Sequence, residues 1–193
     1  MMIKTGLFFG SFNPVHIGHL AIANYMVEFT DIDQVWFVVS GQNPLKKRKS
    51  LLADYHRLAL VKEAIDDDHR FKASDVELKL PKPSYTIDTI TYLKEKYPER
   101  EFVIIMGSDG LTTFDKWKNY KLLEKSVCRY VYPRPGVDLQ SFDNYPNCIF
   151  TNAPMIDISS SFIRESIKNK KDVRFFLHEK VYKYISEMHF FEK

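Results

Sequence analysis

Two short apolar runs constrain the fold of this chain more than any other feature. Residues 34–40 (QVWFVVS) and 101–107 (EFVIIMG) are apolar at nearly every position and do not alternate with polar residues. Strands of this kind are buried on both faces, which is typical of a parallel sheet covered by helices. Residues 3–9 form a third apolar run and are predicted to be a further buried strand.

Segments with helical period separate these strands. We predict helices over 19–29, 54–65, 86–97, 114–125 and 173–188, and one that begins at the serines of residues 159–161. Leu58, Val61, Ala64 and Ile65 are expected to share one face of helix 54–65, and Ser84 or Thr86 to cap helix 86–97. Further strands are predicted over 71–79, 128–134 and 148–154.

This alternation of strands and helices predicts the fold class. It indicates a Rossmann-like, doubly wound α/β fold, with a mostly parallel sheet, helices on both faces and a C-terminal helical segment. The 193 residues suit a single domain, 1–193, whose C-terminal helical part covers about 158–193.

Composition narrows the classes of function. Apolar residues make up 45% of the chain, and the net charge of +3 is too small to argue for duplex nucleic acid but suits a nucleotide. Cys128 and Cys148 show neither zinc nor disulfide spacing, so we interpret both as buried small residues in a reducing compartment. With neither a signal peptide nor a membrane-length apolar run, we expect a cytoplasmic location and no membrane or nucleic-acid partner. The sequence leaves open whether the chain forms a homo-oligomer.

Parallel sheets bind ligands beyond the carboxyl ends of their strands, so the loop after residues 3–9 is informative. Gly10 and Ser11 allow close approach to a ligand, and Asn13-Pro14 marks a turn. His16 and His19 are three residues apart at a helix start, where N–H groups favour phosphate. The alternatives are an ordinary turn with surface histidines, or a metal pair that lacks a third ligand.

A second candidate phosphate site lies near the other end of the chain. Ser159, Ser160 and Ser161 open a helix, and Arg164 follows one turn later. Hydroxyl and N–H groups at a helix start, with a charged donor beside them, can hold phosphate oxygens. Taken alone, the serines would be no more than a helix cap.

Together the two segments resemble the nucleotidyltransferases that carry an HxGH motif. Residues 10–19 (GSFNPVHIGH) look like the signature of that family, and residues 158–164 (ISSSFIR) look like its second signature. The resemblance implies that His16 and His19 bind the β- and γ-phosphates and the transition state. It also implies that Arg164 and Lys46 stabilise the same charge.

Within that family, nearly the whole chain is most similar to the bacterial nicotinate-nucleotide adenylyltransferases. The similarity is carried by Pro44 with Lys46, by PSYT (83–86), MGSD (106–109) and Trp117, and by RPG (134–136). It implies that ATP and nicotinate mononucleotide react to give deamido-NAD and pyrophosphate, with Mg²⁺ held mainly by substrate phosphates and by no protein metal site.

Each of these segments has an expected role and an alternative. Asp109 is expected to accept a hydrogen bond from a ribose hydroxyl, or else to cap a helix. Trp117 is expected to stack on a pyridine ring, or else to be a half-buried packing residue. The Thr86 amide is expected to meet the nicotinate carboxylate, whereas Lys46 is either a phosphate ligand or one charge of a solvated loop. The role of Lys118, next to Trp117, is left open.

The resemblance assigns two sets of binding residues. Those expected to bind ATP are Gly10, Ser11, Phe12, Gly18, Gly107, Asp109, Ile158, Ser159, Ser160 and Ser161. Those expected to bind the nicotinate nucleotide are Asn13, Lys46, Ser84, Tyr85, Thr86, Asp109, Trp117 and Arg134.

Three other functions stay open at this point. The chain could be another HxGH transferase, acting on nicotinamide mononucleotide or phosphopantetheine. It could be a fragment of a class I aminoacyl-tRNA synthetase, although residues 158–164 stand where such enzymes need a KMSKS-like loop. It could also be an inactive nucleotide-binding or scaffold protein, although both phosphate motifs are intact.

Overall fold

The structure, a computed structural model, describes residues 2–41, 51–138, 142 and 145–193. Its sheet has six strands: β1 (Ile3–Gly10), β2 (Gln34–Val39), β3 (Phe71–Ser74), β4 (Arg100–Gly107), β5 (Arg129–Tyr132) and β6 (Cys148–Phe150). Their order is β3-β2-β1-β4-β5-β6, and every neighbouring pair is parallel. The predicted fold class is therefore confirmed.

Eight helices accompany the sheet in the described part of the chain. They are α1 (Ile17–Phe29), α2 (Asp54–Ile65), α3 (Val76–Lys79), α4 (Thr86–Lys96), α5 (Ser108–Leu111), α6 (Tyr120–Ser126), α7 (Ser160–Lys168) and α8 (Glu179–Glu187). Two short 3₁₀ turns lie at Phe114–Lys116 and Arg174–Phe176. None of the helices in these ranges is long and apolar enough to cross a membrane.

Neighbouring residues of the central strands pack on opposite faces of the sheet. Phe8 belongs to a core cluster with residues of α1, α2 and α8, whereas Leu7 belongs to a second cluster with residues of α4 and α6. Both faces are covered, which is why the central strands are apolar at nearly every position. Strand order reverses between β1 and β4, so their carboxyl ends form the switch point where such sheets bind ligands.

Four predicted elements are wrong in part. The strand predicted over 148–154 ends at Phe150. The strand predicted over 71–79 ends at Ser74, and α3 follows, because alternating apolar residues also suit a helical turn that buries Val76. The helix predicted over 114–125 is interrupted before α6, where Asn119 adopts a left-handed conformation with φ of 52°. The helix predicted over 173–188 is likewise split, because Leu177 is extended between a 3₁₀ turn and α8.

Two predicted details of the helices also differ. Neither Ser84 nor Thr86 caps α4: Tyr85 occupies the cap position without a side-chain bond, and the Ser84 hydroxyl lies 3.3 Å from a Glu77 carboxylate oxygen. In α2 the buried face includes Arg57 and Leu60, whereas Leu58 is only partly buried.

The two cysteines are half-buried rather than buried, and both are free thiols. Burial raises the pKa of each thiol, which keeps it protonated at neutral pH.

Candidate active site

A cavity of about 850 Å³ opens at the switch point between β1 and β4. Its wall contains every predicted site residue except Lys46, which lies outside the described residues. From the β1 loop and the start of α1 come Gly10, Ser11, Phe12, Asn13, His16, Gly18 and His19. The other sides supply Ser84, Tyr85, Thr86, Gly107, Asp109, Trp117, Arg134, Ile158, Ser159, Ser160, Ser161 and Arg164.

The two histidines lie at the start of α1, with their ring centroids 3.7 Å apart. The backbone N–H of His16 donates to Nδ1 of His19 over 3.2 Å. A neutral His19 ring therefore carries its proton on Nε2, the nitrogen that can donate to a phosphate oxygen.

His16 is nearly inaccessible to solvent, with 5% of its surface exposed. Burial, together with the positive charge of Arg134, lowers the pKa of His16 to about 4. The ring is therefore neutral at physiological pH, and it offers a hydrogen-bond donor without a positive charge.

The β1 loop is bonded directly to the start of α7. The Ser160 hydroxyl donates to the Pro14 carbonyl over 2.9 Å, and the Arg164 guanidinium donates to the Asn13 carbonyl over 2.8 Å. Two segments about 150 residues apart in sequence thus form one wall of the cavity. This contact brings together the two candidate phosphate sites that the sequence indicated separately.

The serine hydroxyls form bonds within the protein rather than a cradle of free hydroxyl groups. The Ser159 hydroxyl accepts from the Phe162 N–H and caps α7, and the Ser161 hydroxyl accepts from Arg164 over 3.1 Å. The N–H groups of Ser160 and Ser161 have no acceptor among the described residues. This turn therefore presents backbone amides to an anion, in the manner of other helix N-termini.

On the opposite side, β4 leads through Gly107 into α5. Gly107 holds the helix cap position, so Asp109 is in the first turn and is not the cap. The Asp109 carboxylate is largely exposed and lies 4.0 Å from the Arg134 guanidinium. A Cβ on Gly107 would come within 2.4 Å of that carboxylate and 2.8 Å of the Arg134 side chain, so glycine leaves room for both groups.

The start of α4 forms the far end of the cavity. No side chain caps this helix, so its first N–H groups can meet an anion. Trp117 is half-buried and packs on Phe114, with ring centroids 5.4 Å apart. The Lys118 ammonium lies 4.5 Å from the centre of the Tyr85 ring and 2.8 Å from the Asp88 carboxylate.

Comparison with known proteins identifies the family. The cytidylyltransferase-like family matches residues 7–166. A Flavobacterium psychrophilum protein named "Probable nicotinate-nucleotide adenylyltransferase" is 50% identical over 193 residues, covering 99% of this chain and 100% of the relative. A Bacteroides fragilis protein of the same name is 50% identical over 182 residues, covering 94% and 90% of the two chains.

The chain belongs to the nicotinate-nucleotide adenylyltransferases.

A solved structure shares the fold of this adenylyltransferase. Plasmodium falciparum nicotinic acid mononucleotide adenylyltransferase, complexed with NaAD, matches it with a TM-score of 0.83 at 20% identity. The match covers 98% of this chain and 97% of the other. The relatives at 50% identity confirm the resemblance inferred from the two motifs, and they leave phosphopantetheine transfer, a tRNA synthetase fragment and an inactive scaffold without support.

Sequence reasoning missed two buried polar residues beside the cavity of this adenylyltransferase. Arg57 is fully buried in α2, where helical spacing from Leu60 and Ala64 assigns its position to the core. A charged residue at a position where helical spacing predicts burial was the signal in the sequence that could have identified Arg57. Glu77 gave no such signal, since it falls where a strand was predicted.

Glu77 is a buried carboxyl group in the cavity wall. Burial raises its pKa, and hydrogen bonds from Ser40, Thr89 and Ser84 oppose the rise. These bonds connect the end of β2 with the segment that leads into α4, so Glu77 helps to position the far end of the cavity.

Proposed function

We propose that the chain transfers the AMP part of ATP to nicotinate mononucleotide in NAD biosynthesis, giving deamido-NAD and pyrophosphate, by means of the cavity between β1 and β4. The observation that carries the proposal is the junction between the β1 loop and α7. There His16, His19 and Arg164 converge on one wall, held by the Ser160–Pro14 and Arg164–Asn13 bonds.

The chemistry needs alignment and charge stabilisation rather than a general base. The phosphate of the mononucleotide is already ionised at neutral pH, and it attacks the α-phosphorus of ATP. A new P–O bond forms as the bond to the departing pyrophosphate breaks. Negative charge grows on the leaving group, so preorganised donors beside it lower the barrier.

The leaving group is assigned to the β1–α7 wall. The rings of His16 and His19 donate to the pyrophosphate oxygens, and Arg164 supplies positive charge. The amides of Ser160 and Ser161 donate from the start of α7. Lys46 is proposed to act on the same charge.

The two nucleosides are assigned to the sides of the cavity. The ATP site comprises Gly10, Ser11, Phe12 and Gly18, together with Gly107, Asp109 and residues 158–161. The nicotinate nucleotide lies toward α4, where Trp117 stacks on the pyridine ring and the Thr86 amide meets the carboxylate. Asn13, Ser84, Tyr85, Asp109 and Arg134 complete that site.

Mg²⁺ is proposed to enter with ATP and to be held mainly by its phosphates. The acidic residues that line the cavity in the described part of the chain are Asp54, Glu77 and Asp109. Asp54 is paired with Arg57 and Lys82, Glu77 is buried, and only Asp109 is well exposed to solvent. This donor set suits an ion that keeps most of its waters and substrate oxygens, and when bound it would neutralise phosphate charge.

Pyrophosphate release from ATP, with nicotinate and nicotinamide mononucleotides in parallel, tests the proposal. We expect turnover with nicotinate mononucleotide, and His19→Ala is expected to lower it by about 10²–10³-fold, the usual cost of losing one such donor. His69→Ala is the control because His69 is exposed and does not line the cavity. An unaltered rate in His19→Ala would refute the phosphate assignment, and turnover with nicotinamide mononucleotide alone would change the substrate.

A further inference from the structure

Arg57 is a fully buried arginine whose guanidinium is bonded on all sides. Its Nη1 donates to the carbonyls of Ser11 over 2.7 Å and Ser40 over 2.8 Å. Its Nε donates to the Leu52 carbonyl over 3.1 Å, and its Nη2 pairs with the Asp54 carboxylate over 2.6 Å. A buried charge destabilises a protein unless such partners surround it, so these bonds determine where the guanidinium lies.

Two of these partners belong to loops that border the cavity. Ser11 follows β1 and Ser40 follows β2, and both residues line the cavity. Because one nitrogen holds both carbonyls, Arg57 joins the two loops at the carboxyl edge of the sheet. Arg57 itself is absent from the cavity wall, so it acts on a ligand only through these loops.

The two carbonyl bonds also orient N–H groups. In a planar trans peptide the C=O and N–H point in opposite directions, and both the Ser11–Phe12 and the Ser40–Gly41 peptides are trans. Arg57 therefore turns the N–H groups of Phe12 and Gly41 away from itself. Phe12 and Gly41 line the cavity, and neither N–H donates to any residue that the structure describes.

The backbone at Phe12 needs such support. Phe12 has a φ of 45°, in the left-handed region that costs a non-glycine residue about 1–3 kcal/mol. Its ring is held against Phe8, His19 and Phe37, with centroids 5.1–5.9 Å away. The ring contacts fix one side of the residue, and the bond from Arg57 to the preceding carbonyl fixes the other.

We infer that Arg57 is a positioning residue of the adenylyltransferase: it holds two peptide units so that the Phe12 and Gly41 amides donate to substrate phosphate. The inference rests on the proposed function, because it assumes a phosphate-bearing substrate in the cavity. We therefore expect substitution of Arg57 to weaken phosphate binding and turnover more than it weakens folding or nucleoside binding.

The test compares Arg57→Lys and Arg57→Met with Arg100→Met. Arg100 also donates two hydrogen bonds, each 2.9 Å, to Thr5 and Gln34, but it lies at the amino end of the sheet. For Arg57→Lys we expect kcat to fall about 100-fold, in line with loss of a preorganised donor. ATP affinity should fall about tenfold, while adenosine affinity stays within about twofold. Arg100→Met should retain wild-type kcat and the wild-type ratio of the two affinities.

The unsubstituted enzyme provides a second test that does not depend on whether the variants fold. In ¹⁵N–¹H spectra, ATP should shift the Phe12 and Gly41 amide signals, and adenosine should not. Unresponsive amides would overturn the inference, as would a folded Arg57→Lys whose kcat and affinity ratio match Arg100→Met. An unsubstituted chain that binds no ATP and forms no dinucleotide would instead refute the proposed function.

Discussion

Acidification is expected to destabilise this enzyme through His16. The pKa of His16 is about 4 in the folded protein, because burial and the charge of Arg134 both oppose protonation. In the unfolded chain the same imidazole has an ordinary pKa of about 6.5. Between these values the unfolded state binds more protons, so the free energy of unfolding falls as pH falls.

The size of the effect follows from the difference between the two pKa values. A difference of one pH unit corresponds to about 1.4 kcal/mol, so pKa values of about 6.5 and about 4 correspond to roughly 3–4 kcal/mol. Above about pH 6.5 the imidazole is neutral in both states, so His16 does not lower the free energy of unfolding. By pH 5 it lowers that free energy by about 2 kcal/mol. Replacing His16 by glutamine removes this contribution, because glutamine does not titrate.

The effect can be measured by urea unfolding at pH 7 and pH 5. The proteins compared are the unsubstituted enzyme, His16→Gln and the control His69→Gln. From pH 7 to pH 5, the free energy of unfolding of the unsubstituted enzyme should fall by about 2 kcal/mol more than that of His16→Gln. His69 is exposed, so its variant should follow the unsubstituted enzyme. A difference for His16→Gln that stays the same at both pH values would refute the argument from burial.

Two further predictions concern the cavity wall. Gly18→Ala should lower kcat by about tenfold or more, since the new methyl would lie 3.0 Å from Nδ1 of His16 and displace a ring that donates to phosphate. Urea unfolding should show a change in stability of no more than about 1 kcal/mol, because the helix propensity that alanine adds opposes the cost of displacing the buried ring. Lys118 is a cation in the cavity wall beside Tyr85, at the end that is assigned to the nicotinate carboxylate. Lys118→Met should therefore lower the kcat/KM preference for nicotinate over nicotinamide mononucleotide by about fivefold, which corresponds to the free energy of one exposed ion pair. Lys121→Met, an exposed control outside the cavity, should leave that preference unchanged.

Opposite results are equally informative. A Gly18→Ala enzyme with normal kcat would show that the His16 ring tolerates displacement. Equal preferences in the Lys118 and Lys121 variants would show that Lys118 serves only its pair with Asp88.

Local patterns were sufficient to predict the central strands and most helices. Apolar runs identify β1, β2 and β4 because a strand buried on both faces must be apolar throughout. Errors arose where two structures satisfy the same pattern, as at Val76 and Leu78, which suit either an alternating strand or a turn of helix. The interruption at Asn119 was also missed, since helical spacing continues on both sides of it. The single-domain assignment and the role of Lys46 stay predictions.

The candidate site was likewise predictable from the sequence only in part. The residue types and spacing of residues 10–19 and 158–164 were enough to indicate two phosphate sites at helix starts, because turn and capping chemistry is local. The bond from the Ser160 hydroxyl to the Pro14 carbonyl was not predictable, since it depends on what lies opposite the start of α7. The Ser159 cap and the Ser161–Arg164 bond are local to the helix start.

The sequence by itself determined the alternating α/β pattern and the family to which the chain belongs. Both depend on short segments whose periodicity and turn chemistry can be interpreted without their neighbours. Only the tertiary structure decided that the two motifs meet, that His16 is buried and neutral, and that Arg57 joins the loops after β1 and β2. The physical reason is that burial and hydrogen-bond partners come from residues distant in the chain, whose positions follow from the order of the strands.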